Sequence, residues 1–160
     1  MKNKSKFSKT WFVDIDGTIL KDKTNDEIDN IIEEYGEDSY LHEVPIQESI
    51  DFFRSIPKRD RIVLTTARTR DHLDHTIEAL DYYEMPYDDY IFDLGSGPRI
   101  LVNDIKPKGN IGNVSDLETA FSINIDRNEG NQVERGYKKI DSIINYQMAA
   151  TPMIKQLINE

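Results

Sequence analysis

The chain is expected to fold as an α/β protein, a mostly parallel sheet of about five strands flanked by helices. Two observations predict this. Short runs of apolar and β-branched residues alternate with segments whose apolar residues recur at helical spacing. The first such run, Trp11-Phe12-Val13, leads directly into Asp14-Ile15-Asp16-Gly17-Thr18. Two carboxylates and a glycine turn then stand where an open parallel sheet binds its ligands, beyond the carboxyl ends of its strands.

The elements follow in order. Residues 11–15 read as the first strand, aromatic and β-branched up to the first carboxylate. The stretch 19–45 is rich in acidic groups, and Thr24-Asn25-Asp26-Glu27 has the form of a capping box ahead of Ile28, Ile31 and Ile32. It reads as a flap or small helix over the site, or as a surface excursion. Ile46, Ile50 and Phe53 share one helical face, and Pro57 ends that helix. Arg61-Ile62-Val63-Leu64-Thr65 is the second strand. Leu73, Ile77 and Leu80 mark the next helix, with Thr69 as its N-cap. Tyr90-Ile91-Phe92 and Ile100-Leu101-Val102 read as the third and fourth strands, and the alternating Phe121, Ile123 and Ile125 as the fifth. From about residue 133, Tyr137, Ile140, Ile144 and Met148 describe a C-terminal helix ahead of Pro152. It is expected to pack on the sheet edge or against another subunit, which offers an interface for a homo-oligomer.

Composition bounds the function. With 160 residues, 31% charged and 38% hydrophobic, the chain reads as one soluble domain over 1–160 with room for a core. The Lys-rich Met1–Lys9 resembles the front of a signal peptide, but Asp14 interrupts the apolar stretch almost at once. No segment is long and apolar enough to span a membrane, so no membrane partner is expected. The absence of Cys excludes disulfides, thiolate metal sites and Cys nucleophiles, and fits a cytoplasmic location. A formal net charge of −10 argues against broad nucleic-acid binding and demands a locally basic pocket for any anionic substrate.

The chemistry of the first strand end is specific. Residues two apart on a strand point the same way, and a turn at Gly17 can bring the second carboxylate back over the first. Asp14 is then placed to attack a phosphorus atom, and Asp16 to pass a proton to or from the ester oxygen. Two such anions repel unless a divalent cation lies against them, and Mg²⁺ favours hard oxygen ligands such as Asp14 and Asp16. Thr18 can hold the returning chain. The plainer alternative is a strand end and a turn, since Asp and Gly are ordinary turn residues. The second strand ends in Thr65-Thr66-Ala67-Arg68, where a hydroxyl and the N–H groups opening the next helix form a phosphate cradle. The fourth ends in Asn103-Asp104, a further carboxylate.

Taken together, these motifs resemble the haloacid dehalogenase superfamily, whose phosphatases carry a DxDGT signature, a strand-end Thr or Ser, a basic residue and a late acidic pair. Asp14-Ile15-Asp16-Gly17-Thr18, Thr66 in Leu64-Thr65-Thr66-Ala67-Arg68, and Asp104 in Leu101-Val102-Asn103-Asp104 stand in the family's order across residues 10–126. The resemblance implies a Rossmann-like core with a minimal cap. It implies Asp14 as the nucleophile of an aspartyl-phosphate, Asp16 as the acid/base, and Thr66 as a ligand of the transferring phosphoryl. It further implies Mg²⁺ held by Asp14, the Ile15 carbonyl and Asp104. The substrate it implies is a small phosphorylated metabolite such as a sugar phosphate, bound with help from Thr18, Thr66 and Arg68.

The chain departs from the family where a Gly-Lys-Pro usually supplies a cation. Leu94-Gly95-Ser96-Gly97-Pro98-Arg99 contains no Lys, so Arg99, Lys106 or Lys108 is expected to take that role. Two rival readings are a catalytically weak or inactive module binding a phosphorylated ligand or a protein partner, and a phosphatase of nucleic-acid ends. The second should carry a basic stripe with aromatics, which this acidic chain does not show. His72 and His75 stand one helical turn apart without an evident third metal ligand and are expected to face solvent. His42 has no partner in sequence. Tyr82, Tyr83, Tyr87 and Tyr90 are expected to pack the loop before the third strand, and Ser96 to lie in a flexible turn.

Overall fold

A computed structural model describes residues 8–149; the signal-peptide-like start, Met1–Phe7, and Pro152 lie outside the described residues. The aromatic and β-branched runs form a parallel three-stranded sheet in the order β1 (Thr10–Asp14), β2 (Arg61–Thr65), β3 (Asp89–Ile91). Its register aligns Asp14 with Thr65 and Thr65 with Ile91, so all three strands end level along one edge. Helix α1 (Asn25–Tyr35), a 3₁₀ segment (Gly36–His42) and α2 (Gln47–Ser55) lie between β1 and β2. A 3₁₀ turn (Arg70–His72) and α3 (Leu73–Tyr82) connect β2 to β3, and α4 (Asn131–Met148) closes the described chain.

The local signals act largely as their chemistry requires. The Thr24 hydroxyl oxygen accepts the Glu27 N–H at 3.1 Å and donates to the Glu27 carboxylate at 3.3 Å, which starts α1. Gly36, at φ 55°, ends it by donating its N–H to the Ile32 carbonyl. Ile46, Ile50 and Phe53 are buried beneath α2 as their spacing predicts. With Val13, Ile15, Ile19, Leu20, Ile28, Ile62, Leu64 and Leu80 they form the core, each such side chain contributing about 1.5–3 kcal/mol. Thr69 precedes the 3₁₀ turn, but its side chain caps nothing. The inward face of α3 is also rotated from expectation. His75, Thr76, Ala79 and Leu80 are buried, whereas Leu73 and Ile77 are only half-buried.

The chain divides into two compact units, residues 1–97 with 125–131 and residues 98–124 with 132–160. The expected fourth and fifth strands do not form among the described residues, so the sheet has three strands instead of about five. Ile100 and Val102 are 87% and 90% exposed. A β-branched run becomes a strand only where an edge receives its backbone, and side-chain propensity does not supply that edge. The alternation at Phe121, Ile123 and Ile125 is real, with each half-buried between exposed neighbours. Ile123 is used for helix packing instead, seated so close to Gly136 of α4 that a Cβ there would meet its Cγ2 at 2.5 Å.

Candidate active site

The Asp14–Thr18 segment is a tight turn organised around one carbonyl. The Ile15 oxygen accepts N–H groups from Thr18, Ile19 and Leu20 at 3.2, 2.9 and 3.0 Å, and the Gly17 N–H donates to the Leu20 carbonyl at 2.8 Å. Gly17 sits at φ 81°, a left-handed conformation that L side chains resist. From the other side, the Asn128 N–H donates to the Gly17 carbonyl at 2.8 Å and its side-chain oxygen accepts the Asp22 N–H at 3.0 Å. The turn is thereby pinned at both ends, with Asp14 exposed at the strand end and Asp16 turned inward.

Asp16 meets Arg68. Nε and Nη2 of the guanidinium donate to the two carboxylate oxygens at 3.0 and 2.7 Å. The opposite edge meets Glu43, with Nη1 and Nη2 donating at 2.6 and 3.2 Å, and Nη1 also donates to the Thr76 hydroxyl at 3.0 Å. These five contacts match the five N–H groups a guanidinium carries. Arg68, expected to bind substrate, is instead buried and fully engaged within the protein. Burial alone would lower its pKa, but its hydrogen bonds to Asp16 and Glu43 and their charges raise it, so it stays cationic.

Glu43 is the hub of this network. Its carboxylate also accepts His75 Nε2–H at 3.1 Å and pairs with Lys23 Nζ at 3.3 Å, while its carbonyl accepts the Tyr83 hydroxyl at 2.6 Å. Burial raises the Glu43 pKa; hydrogen bonds from His75 and Arg68 and the charges of Arg68 and Lys23 outweigh it and bring it to about 2. His75 Nδ1 meets the Ser39 hydroxyl at 2.8 Å. Ser39, His75 and Glu43 therefore have the connectivity of a nucleophile, base and carboxylate, but they are 4%, 6% and 1% exposed. The Glu43 charge is also taken by Arg68 and Lys23, so this triad is a buried brace without access for a substrate.

The histidines correct the sequence reading. His72 and His75 are both buried instead of facing solvent. His72 Nδ1 lies 2.9 Å from the Asn25 side-chain oxygen and Nε2 lies 2.6 Å from the Asp29 carboxylate. Asn25 in turn reaches the Ala67 carbonyl and the Thr69 N–H, each at 3.4 Å. His42 stacks on Tyr35 with ring centroids 3.6 Å apart. The tyrosines do pack before β3, Tyr82 edge-on to Tyr83 and Tyr87 edge-on to Tyr90.

The remaining candidates are distributed unevenly. Thr66, expected to bind the phosphoryl, is instead fully buried, and its hydroxyl oxygen accepts the Arg68 N–H at 3.0 Å. Thr18 is half-buried in the turn. Arg99, Asp104, Lys106 and Lys108 belong to the second unit, where Lys106 Nζ pairs with Asp104 at 3.1 Å. Among the described residues no three His, Asp or Glu side chains gather in a way that would hold a metal ion. Of the groups expected to bind Mg²⁺, the Ile15 carbonyl is committed to the turn and the Asp16 carboxylate to Arg68, so they do not fit the ion as a set.

Glu43, Lys23, Ser39 and Thr76 were not singled out from the sequence. Their roles depend on side chains from distant segments converging on Arg68, and no local pattern marks them. The His72/His75 spacing was the available signal, since an i, i+3 pair on a helix flanking a site shares one face. Comparison with protein-family models, curated proteins and solved structures gives no match.

Proposed function

We propose that the chain is a phosphomonoester hydrolase that works through an aspartyl-phosphate on Asp14. One observation carries the reading. Asp14 stands exposed at the carboxyl end of a parallel sheet, level with Thr65, while the carboxylate two residues on is held by both oxygens in the Arg68 fork. A pair of acids treated so differently suits two roles.

In this mechanism an Asp14 oxygen attacks phosphorus and the ester P–O bond breaks. Asp16 relays the proton of the monoanionic ester to the departing oxygen. Water then attacks the aspartyl-phosphate, the bond from phosphorus to Asp14 breaks, and the water proton passes by way of Asp16 to the inorganic phosphate released. Thr18 holds the turn. Mg²⁺ would supply a counter-charge to the phosphoryl group if Asp14 held it, and none of these steps is routed through it. The substrate class is a small phosphorylated metabolite such as a sugar phosphate, in keeping with the superfamily resemblance.

The test is hydrolysis of an aryl phosphate with and without Mg²⁺, in the native protein and in Asp14→Asn. Turnover that falls at least about a thousandfold in the variant is the expected result, and its response to the ion shows whether Asp14 takes up a counter-charge. A rate unchanged by Asp14→Asn would overturn the mechanism. The engagement of all Arg68 donors favours a second reading, a module that binds a phosphorylated ligand without turning it over. In that case Asp14→Asn would leave binding of a phosphorylated sugar intact, and the native protein would show no hydrolysis.

A further inference from the structure

We propose that Glu43, assisted by Thr76, is the positioning residue that fixes Asp16 through Arg68. The inference rests on the phosphoryl-transfer reading and assigns to the 19–45 excursion a part in that chemistry.

The geometry is a relay of rigid forks. A guanidinium is planar, so its two donor edges share one plane and cannot be aimed independently. One edge, Nε and Nη2, grips Asp16; the other, Nη1 and Nη2, grips Glu43. The orientation of the Glu43 carboxylate therefore sets the plane in which Asp16 is held, and Thr76 adds a third fixed point on Nη1.

The two ends of the relay are not equivalent. The Glu43 side chain has no solvent exposure and is tied by His75, Lys23 and Arg68. The Asp16 side chain, though turned toward Arg68, keeps 16% exposure. Glu43 is the anchored end and Asp16 the working end. Without Glu43, Arg68 would keep only the Thr76 hydroxyl as a fixed point behind Asp16, and Asp16 would follow its motion.

A stability role alone leaves this arrangement unexplained. Buried ion pairs contribute little net stability over apolar packing of the same volume, because desolvation opposes them. Placed directly behind a partly exposed carboxylate at a strand end, the same groups supply direction, which a proton-transferring acid needs within a fraction of an ångström.

The test uses the full chain and two independent readouts. The first is hydrogen exchange of the Arg68 Nε–H, followed by ¹⁵N NMR. The second is the split between kcat and KM on an aryl phosphate. In the native protein the Nε–H should be protected by Asp16. In Glu43→Gln, exchange should quicken and kcat should fall, each by about tenfold or more, with KM held within about twofold. Thr76→Val should shift both readouts in the same direction by about two- to fivefold, and it decides the matter if Glu43→Gln does not fold. A folded variant whose Arg68 Nε–H stays protected, or whose protection is lost with kcat unchanged, overturns the proposal. A native protein that hydrolyses no aryl phosphate overturns the phosphatase reading instead, while the exchange measurement still decides whether Glu43 fixes the clamp.

Discussion

Two acids separated by one residue receive opposite treatment in this chain. Asp14 is left exposed at the strand end, whereas Asp16 is folded back into a bidentate fork by a single turn. That turn depends on Gly17. At φ 81°, with an added Cβ placed 3.2 Å from the Arg127 side chain, Gly17→Ala combines backbone strain with a tight contact. The expected loss is about 1–2 kcal/mol of unfolding free energy in urea. Gly36 provides the control. Its φ is 55°, but an added Cβ meets nothing within 4 Å, so Gly36→Ala should cost less. Asp16→Asn is a sharper probe of chemistry. The amide keeps the shape but cannot take a proton, so kcat on an aryl phosphate should fall by about a hundredfold or more. An equal loss from Asp14→Asn and Asp16→Asn would agree with a shared two-step mechanism; an Asp16→Asn enzyme of native rate would remove Asp16 from it.

At the level of elements, the 19–45 excursion is tied to the exit of β2 along its length. Asn25 and Asp29 of α1 meet His72, Ser39 of the 3₁₀ segment meets His75, and Glu43 meets both His75 and Arg68. These contacts run from α1 through the 3₁₀ segment to Glu43. Replacing His72 by Leu should release α1 first, since both ring nitrogens bind residues of that helix. Amide exchange across 25–35 should then quicken by about tenfold or more, with α2 unaffected. Uniform protection across both helices would show that apolar packing at Ile28 is sufficient to hold α1. The starts and stops of the helices were legible in the sequence where Thr24 at an N-cap and Pro57 after α2 act within a few residues of themselves. The three strands that form were legible for the same reason. What was not legible depends on distant partners. Nothing beside Glu43 in the chain shows that an arginine 25 residues on will take its charge. The run Ile100-Leu101-Val102 has strand chemistry, but its residues do not say whether an edge will receive it. For the histidines, polar residues normally point outward; the buried Glu43 carboxylate reverses that preference for His75, and Asn25 and Asp29 engage both ring nitrogens of His72.

For the molecule as a whole, charge governs the response to pH and salt. The Glu43 carboxyl is held at about 2, below its ordinary 4.5, so the folded state binds that proton more weakly than the unfolded chain does. The contribution of Glu43 is therefore fully present above about pH 4.5 and drains away as pH falls through 4 toward 2. It is on the order of 3 kcal/mol, a large share of the 5–15 kcal/mol typical of a domain. Urea unfolding of the native protein at pH 6, 4 and 3 should show that decline. Glu43→Gln should start about 3–5 kcal/mol lower at pH 6, because Arg68 loses one of its two anions, and should fall less steeply over the same interval. Parallel slopes would mean that other carboxylates control acid unfolding. Salt probes the other side of the same balance. With a formal net charge of −10, the chain repels a phosphate ester at long range. Raising ionic strength from 0.01 to 0.15 M shortens the screening length from about 30 to 8 Å, so kcat/KM for an anionic phosphate ester should rise while kcat stays level. A fall in kcat/KM would instead reveal a basic approach to Asp14 that dominates the net charge locally, and the cation that serves the phosphoryl group would then be sought along that approach.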